Sequence, residues 1–355
     1  MALASDRQED QNASRAVLAL DVGGTKLAAG VVRSDGKVLS YAKCPTGVAD
    51  GPAACLDRLF ALGREVLDEL PDEHRADGRR HGRPTLLGTG IGCGGPLDPV
   101  RGVLIAPPHL PGWKDIPVTR LAEDAYGMPA VLDNDGTAGA AGEWRFGAGR
   151  GTRNLLYMTV STGIGGGMIA DGRTYRGAAG NGGEPGHVTV RSDGRRCAGC
   201  GRTGCLEAYA SGTSIAERAA EAVELAAREG ERTSLAGVEP LTAVDVADAV
   251  REGDPVAVRV WDETTEALGS GLVSIVNLFE PELVVLGGGV TRSADLLLPP
   301  VRDAVARLAM GPAASAARVV AASAGEQAGL LGAAAVAFER LPQHEQLPTQ
   351  PAAPL

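Results

Sequence analysis

One local pattern occurs twice in this chain, once from Val17 and again from Leu155: an apolar strand, a glycine-marked turn, a second strand, then helix. In the first copy, RAVLALDVGG (15–24) is a short apolar run ending in glycines, the mark of a buried strand and its turn. LAAGVVRSDGKVLSYAKCP follows as two strands about an Asp35-Gly36 turn, and a helical pattern runs from Pro52 to Leu70. The second copy opens with NLLYMTVSTGIGGGMIADGR (154–173), again strand, glycine turn and strand. Self-similarity on this scale implies a duplicated α/β unit rather than short tandem repeats. A chain of 355 residues is also long for one core. Two α/β lobes with a cleft between them are expected.

Between and after these units the sequence predicts a strand and turn at TLLGTGIGCGG (85–95). It then predicts strand, turn and small-residue helix at PAVLDNDGTAGAAGEWRFG (129–147), and helices over roughly 213–229 and 255–278. PELVVLGGGV (281–290) reads as a strand entering a glycine turn, and AGLLGAAAVAFERL (328–341) as a last apolar helix. The polar start, residues 1–14, and the Pro-rich tail, 342–355, are expected to be disordered. The basic run RADGRRHGR (75–83) has no interleaved aromatics and reads as a solvated loop. A net charge of −10 argues against broad nucleic-acid binding. No secretory h-region and no apolar run of membrane-spanning length are present. Scattered Cys44, Cys55 and Cys93 suit a reducing cytoplasm.

Three strand-terminal glycine turns carry the first chemical signal: DVGGTK (21–26), STGIGGG (161–167) and LGGGV (286–290). Glycine lets backbone N–H groups approach an anion closely, and Thr25 adds a hydroxyl donor. The chain has no G-x-x-x-x-G-K-[ST], which excludes a P-loop NTPase. GIGCGG (90–95) matches G-x-G-x-x-G, but PLDPVRG follows where a dinucleotide site needs a helix, so the match is false. DND (133–135) ends an apolar strand. If the strand continued, Asp133 and Asp135 would face opposite ways, so one of them enters a cleft while Asn134 and Asp135 can also cap the next helix. Finally, His187, Cys197, Cys200 and Cys205 form a Cys3His set suited to a closed, tetrahedral structural zinc. The same stretch carries two carboxylates, Glu184 and Glu207.

Taken in order, DVGGTK, NDGTAGAAGE (134–143), STGIGGG, GEPGH (183–187), GCLEAYASGT (204–213) and LGGGV resemble the ROK family of sugar kinases over residues 16–340. The resemblance implies an actin/hexokinase-like (ribonuclease H-like) duplicated α/β fold. Its small lobe would be 15–135 completed by a C-terminal helix, 326–341, and its large lobe 136–325 with a zinc loop at 187–205. It makes Asp135 the general base, and Asn134, Glu184, His187, Glu207, Gly94 and His109 the sugar-binding set. Gly23, Gly24, Thr25, Lys26, Thr162 and Gly163 would face the phosphates, Gly287 and Gly288 the adenosine, and Asp21 a magnesium ion. Two departures stand out. The first two zinc cysteines are spaced C-x-x-C where the family has C-x-C, and His109 stands where many relatives have Asn.

The implied activity is ATP-dependent phosphorylation of a hexose, glucose to glucose 6-phosphate first, by a cytoplasmic glycolytic enzyme that is a homodimer or homotetramer. Hexose and ATP would be its partners, with no nucleic acid and no membrane. Fructokinase and N-acetylmannosamine kinase are alternatives within the class. A non-catalytic sugar-binding module would lack Asp135 or DVGGTK, and both are present. A repressor would need a helix-turn-helix, for which the residues before Val17 are too few.

Overall fold

The computed structural model describes residues 15–70, 73–74 and 80–341; the extension 1–14, positions 75–79 of the basic run and the tail 342–355 lie outside the described residues. The first sheet holds β1 (Arg15–Val22), β2 (Lys26–Arg33), β3 (Val38–Pro45), β4 (Thr85–Cys93) and β5 (Ala130–Asn134) in the order β3-β2-β1-β4-β5. The second holds β6 (Leu155–Val160), β7 (Ile164–Ala170), β8 (Arg173–Tyr175), β9 (Leu283–Gly287) and β10 (Arg318–Ala321) in the equivalent order β8-β7-β6-β9-β10. In each, the first three strands are antiparallel neighbours and the last two join in parallel. The duplicated α/β fold is therefore present in the strand order itself.

Strand alternation decides what covers each face. Leu18, Leu20, Leu27 and Ile91 pack with Leu59 and Val66 of helix α1 (Gly51–Asp68) and Ala122 of α2 (Val118–Tyr126). Val17 and Ala19 face the other way, onto Leu330, Ala333 and Ala337 of the last helix. In the second sheet, Leu156, Met158 and Val160 face the large helical layer. It contains α4 (Glu207–Ala210), α5 (Gly212–Glu229), α6 (Ala243–Arg251), α7 (Pro255–Phe279) and α8 (Ala294–Leu308). Leu155, Tyr157 and Val285 face Ala140 of α3 (Asp135–Phe146). The short α9 (Gly311–Ala316) precedes β10, and α10 (Ala328–Arg340) closes the described fold.

Helices α3 and α10 thus lie between the two sheets and against each other. Their contact is made by small residues: a Cβ on Gly332 would stand 2.6 Å from the Ala138 carbonyl oxygen, and one on Gly142 would stand 3.0 Å from the Gly332 Cα. Helix α3 starts without a turn. β5 ends at Asn134, whose Oδ1 accepts from the N–H groups of Gly136 (2.9 Å) and Thr137 (3.4 Å), an N-cap that leaves Asp135 as the first helical residue. The expected turn between strand and helix, and the continued strand that would set Asp133 opposite Asp135, are absent here for that reason.

Other differences are local. Arg80–Gly82, inside the basic run expected to be a loop, pairs with Glu73–His74 in a small ribbon. After β4 no helix follows GIGCGG, in keeping with its exclusion as a dinucleotide motif. Helix α8 carries Pro299 and Pro300 in its interior, residues that read as breakers in sequence. Among the described residues no helix is long and apolar enough to cross a membrane.

The tight α3–α10 contact gives a test. Gly332→Val is expected to destabilise the protein by roughly 1–3 kcal/mol, the usual range for overpacking, read as a lower urea midpoint with unchanged slope. A wild-type midpoint would mean that the helices can part without cost.

Candidate functional site

The parallel strands of the first sheet end together. Asp21 pairs with Gly92, Val22 with Cys93, and Cys93 with Asn134. This register brings DVGGTK, GCGG and DND to one edge, the carboxyl ends of the strands, where open α/β sheets bind ligands. The loop carrying His109 packs over that edge. A Cβ on Gly24 would meet the His109 carbonyl oxygen at 2.7 Å, and one on Gly94 would meet the ring Cε1 at 2.5 Å. The His109 Nε2 lies 4.0 Å from the Cys93 Sγ. Burial holds the His109 imidazole below its usual range against the opposing pull of Asp135, so the ring is neutral at pH 7 and offers one donor and one acceptor.

Asp135 is the common electrostatic neighbour of this region. Its charge acts on Asp21, His109 and Glu184 alike. Burial pushes the Asp21 carboxyl up to about 6, Lys26 opposes that shift and Asp135 adds to it. Burial also raises Glu184; His187 draws it down, and Asp135 and Glu207 push it up. The site is therefore a partly buried, acid-rich cleft wall in which Asp21 and Glu184 both feel the charge of Asp135.

The two acids of DND divide their roles. Asp133 is fully buried and bonded by the Arg176 Nε at 2.8 Å. Asp135 begins α3, and its Oδ1 accepts from the Gly136 N–H at 2.8 Å. One of the pair is thus turned into the protein and the other stands at the cleft.

The first glycine turn is closed by the Gly23 N–H, which donates to the Lys26 carbonyl at 3.0 Å, leaving Gly24 and Thr25 at its tip. Gly23 is a hinge of that turn rather than a donor to a ligand. The second turn, Ser161–Gly163, is held by Glu207. Its Oε2 accepts from the Ile164 N–H at 2.8 Å, and its Oε1 accepts from the Cys197 thiol at 3.2 Å. Glu207 thus stands between the second glycine turn and the cysteine loop.

A cavity of about 470 Å³ opens in the second lobe. Ser161 and Thr162, the start of α5 (Gly212, Thr213), the approach to α6 (Leu241, Val244) and the turn after β9 (Gly289, Val290) line it. Thr162, expected to face the phosphates, lines this cavity. Gly287 and Gly288 do not line the cavity. Gly287 packs on the Tyr157 hydroxyl, and Gly288, with φ +91°, packs on the Val160 carbonyl, so Gly289 supplies the lining. Leu241 and Val244 were missed because lone apolar residues beside a helix start carry no chemical signature, and Arg292 because a single arginine after a glycine turn is common on surfaces; Thr213 was legible within GCLEAYASGT.

The ligand atoms of His187, Cys197, Cys200 and Cys205 all lie within 4.8 Å of one another. The His187 Nδ1 is 3.8 Å from the Cys197 Sγ, and the sulfurs of Cys200 and Cys205 are 3.5 Å apart. A tetrahedral zinc with sulfur ligands at about 2.3 Å has edges of roughly 3.5–3.8 Å, so the donor set fits the ion in chemistry and spacing. The lengthened C-x-x-C turn is closed by the Gly201 N–H on the Cys197 carbonyl (2.8 Å) and the Cys197 N–H on the Arg202 carbonyl (2.7 Å). The extra residue is absorbed without separating the cysteines.

The profile of the ROK family matches residues 17–340. The chain belongs to the ROK family. A glucokinase of Streptomyces coelicolor is 35% identical over 326 residues, 91% of this chain and 97% of that protein. A ROK hexokinase of Thermus thermophilus superposes with a TM-score of 0.73 at 35% identity, covering 91% of this chain and 98% of that one. A ROK family glucokinase of Streptomyces griseus, solved in complex with glucose and AMPPNP, superposes with a TM-score of 0.71 at 34% identity, covering 91% and 99%. The actin/hexokinase-like architecture is thus shared with ROK sugar kinases along nearly the whole length.

Asp21 supplies a pH test. Its folded pKa of about 6 lies above the ordinary aspartate value, so the fold binds this proton more tightly than the unfolded chain does. The associated stability is present at low pH and is lost as pH rises through about 6. Asp21→Asn should then be more stable than wild type at neutral pH, by about 2–3 kcal/mol, with the gap closing towards pH ~4. Urea unfolding across that range, without added magnesium, measures it. A gap independent of pH would place the buried charge elsewhere.

Proposed function

We propose that this protein transfers the γ-phosphoryl group of ATP to a hexose hydroxyl, with glucose O6 as the favoured acceptor. The observation that carries the reading is the position of Asp135. It sits at the head of α3 on the edge where the first glycine turn, His109 and Glu184 converge, in a chain whose relatives are glucokinases. A sugar hydroxyl is a poor nucleophile at neutral pH, and Asp135 accepts its proton as the new bond to phosphorus forms. Asn134, Glu184, neutral His109 and the backbone at Gly94 offer acceptors and donors to the sugar hydroxyls. The tips of the two glycine turns, Gly24–Thr25 and Thr162–Gly163, direct polar groups at the phosphates and stabilise the charge that spreads during transfer. The cavity beside Thr162 and Thr213 takes the nucleoside, which favours ATP over a simple polyphosphate as donor.

Asp21, held in reserve as a buried carboxylate beside Lys26, would hold magnesium through water; the ion would offset phosphate charge. His187, Cys197, Cys200 and Cys205 would hold a structural zinc, which keeps the loop bearing Glu184 and Glu207 rigid. Glu207 acts on the sugar side through the turn it holds. The reading also carries a cytoplasmic location, where thiols stay reduced, and assembly as a homodimer or homotetramer.

A coupled assay across a panel of hexoses and phosphate donors tests the function, with glucose and ATP expected to give the highest kcat/KM. If another hexose ranks first, His109 at the usual Asn position is the first residue to exchange. Asp135→Asn is expected to keep hexose binding while lowering turnover by roughly 10²–10⁴, the share general-base catalysis supplies; near-normal turnover would refute the assignment. Elemental analysis of tag-free protein is expected to find about one zinc per chain, with Cys205→Ser lowering both thermal stability and hexose affinity. Active protein free of zinc would overturn the metal assignment.

A further inference from the structure

Asp133 is the residue before the catalytic pair and has no solvent exposure. Its carboxylate is held by Arg176, which leaves the end of β8 in the second sheet and donates from Nε at 2.8 Å. The same guanidinium reaches Glu339 of α10, its terminal nitrogen standing 3.2 Å from the Glu339 Oε2. Glu339 in turn accepts from the Thr174 N–H at 3.2 Å and from the Thr174 hydroxyl. The next residue, Arg340, donates to the Leu132 carbonyl at 2.5 Å and the Pro99 carbonyl at 2.8 Å, and its guanidinium is 3.9 Å from Asp133. One small network thus joins β5 of the first sheet, β8 of the second and the end of α10.

Its placement relative to the cleft gives it a role. On one side, Asp133 is followed directly by Asn134 and Asp135. On the other, Arg176 opens the loop 176–184 that ends in Glu184. We infer that Arg176 is a positioning residue that sets the strand end bearing Asn134 and Asp135 in register with the loop bearing Glu184. The inference rests on the kinase reading above, because it gives those three residues the sugar. A lysine could not replace the arginine. Reaching Asp133 and Glu339 at once uses the planar fork of a guanidinium, which a point-charge ammonium lacks. A neutral residue would leave the Asp133 carboxylate buried with the Asn134 N–H on one oxygen (3.0 Å) and its nearest remaining charge, Arg340, 3.9 Å away, a costly arrangement.

The test compares Arg176→Gln, Arg176→Lys and the double variant Asp133→Asn/Arg176→Gln, which removes the buried charge with its partner and so guards against simple unfolding. Steady-state kinetics and amide hydrogen exchange are read on each folded variant. A displaced catalytic pair should lower kcat/KM for the hexose by roughly 10²-fold. The hexose KM should rise while the ATP KM stays within about twofold, since the nucleotide cavity is built away from this network. Exchange should quicken together in residues 130–137 and 176–186, by roughly tenfold or more. Hexose and ATP constants that worsen equally, or a double variant with wild-type hexose kinetics, would overturn the inference. Quickening confined to one of the two segments would also overturn it. The exchange measurement needs no turnover. If wild-type protein phosphorylates no hexose, the functional reading fails by that result, while the register imposed by Arg176 is still decided by exchange.

Discussion

Helix α3 is seated with backbone against backbone on both of its long sides, and the site is measured from that seat. Toward the second sheet, Gly136 faces Gly166 so closely that any Cβ would collide, and a Cβ on Gly167 would stand 2.7 Å from the Gly136 carbonyl oxygen. Toward the last helix, Gly142 and Ala138 meet Gly332. Side chains have rotamers and can repack, whereas backbone contacts of this kind leave little slack. The STGIGGG run therefore does two things. Its first residues form a polar turn, and Gly166 and Gly167 form the floor on which the helix carrying Asp135 rests. Glu143, buried on the same helix, adds a polar anchor by accepting from the N–H groups of Ser323 (2.9 Å) and Ala324 (2.8 Å) just ahead of α10.

The electrostatics of the cleft follow from what that seat brings together. Asp21, Asp135 and Glu184 come from separate stretches of the chain, and the charge of Asp135 raises the cost of charging the other two. Such a wall is poorly suited to an anion alone and well suited to neutral polyols and to phosphates that arrive with a divalent cation. Glu207 stands just behind this wall: one oxygen is held by the Ile164 N–H, and its charge adds to the cost of charging Glu184. The polar residues of the site thus fall into those that face the cleft and those that fix the turns behind it.

The sequence displays the first of these groups better than the second. Strand ends with glycine turns, the Cys3His set and the DND acids were legible because residue type and spacing alone announce a backbone or ligand requirement. The equivalent strand order of the two sheets was foreshadowed by the repeat at Val17 and Leu155. What remained hidden depends on three-dimensional partners. Nothing in DND tells which acid meets Arg176, and nothing in YRGAAG singles out that arginine. Gly287 and Gly288 look like a ligand turn in sequence, yet their lack of side chains serves the packing of Tyr157 and Val160. The helix α8 was obscured by two prolines, and α6 by its shortness.

The position of α10 in the chain has a consequence for biosynthesis. Strands β1 to β5 are complete by Asn134, but one face of their sheet, including Val17, Ala19 and Val32, is covered mainly by residues 328–341. Roughly 190 residues of translation separate the two. At typical rates of about 5–20 residues per second, that face waits on the order of 10–40 s for its cover. During synthesis the second sheet and its helical layer can form first, so the amino-terminal sheet, although made first, is the last to be sealed.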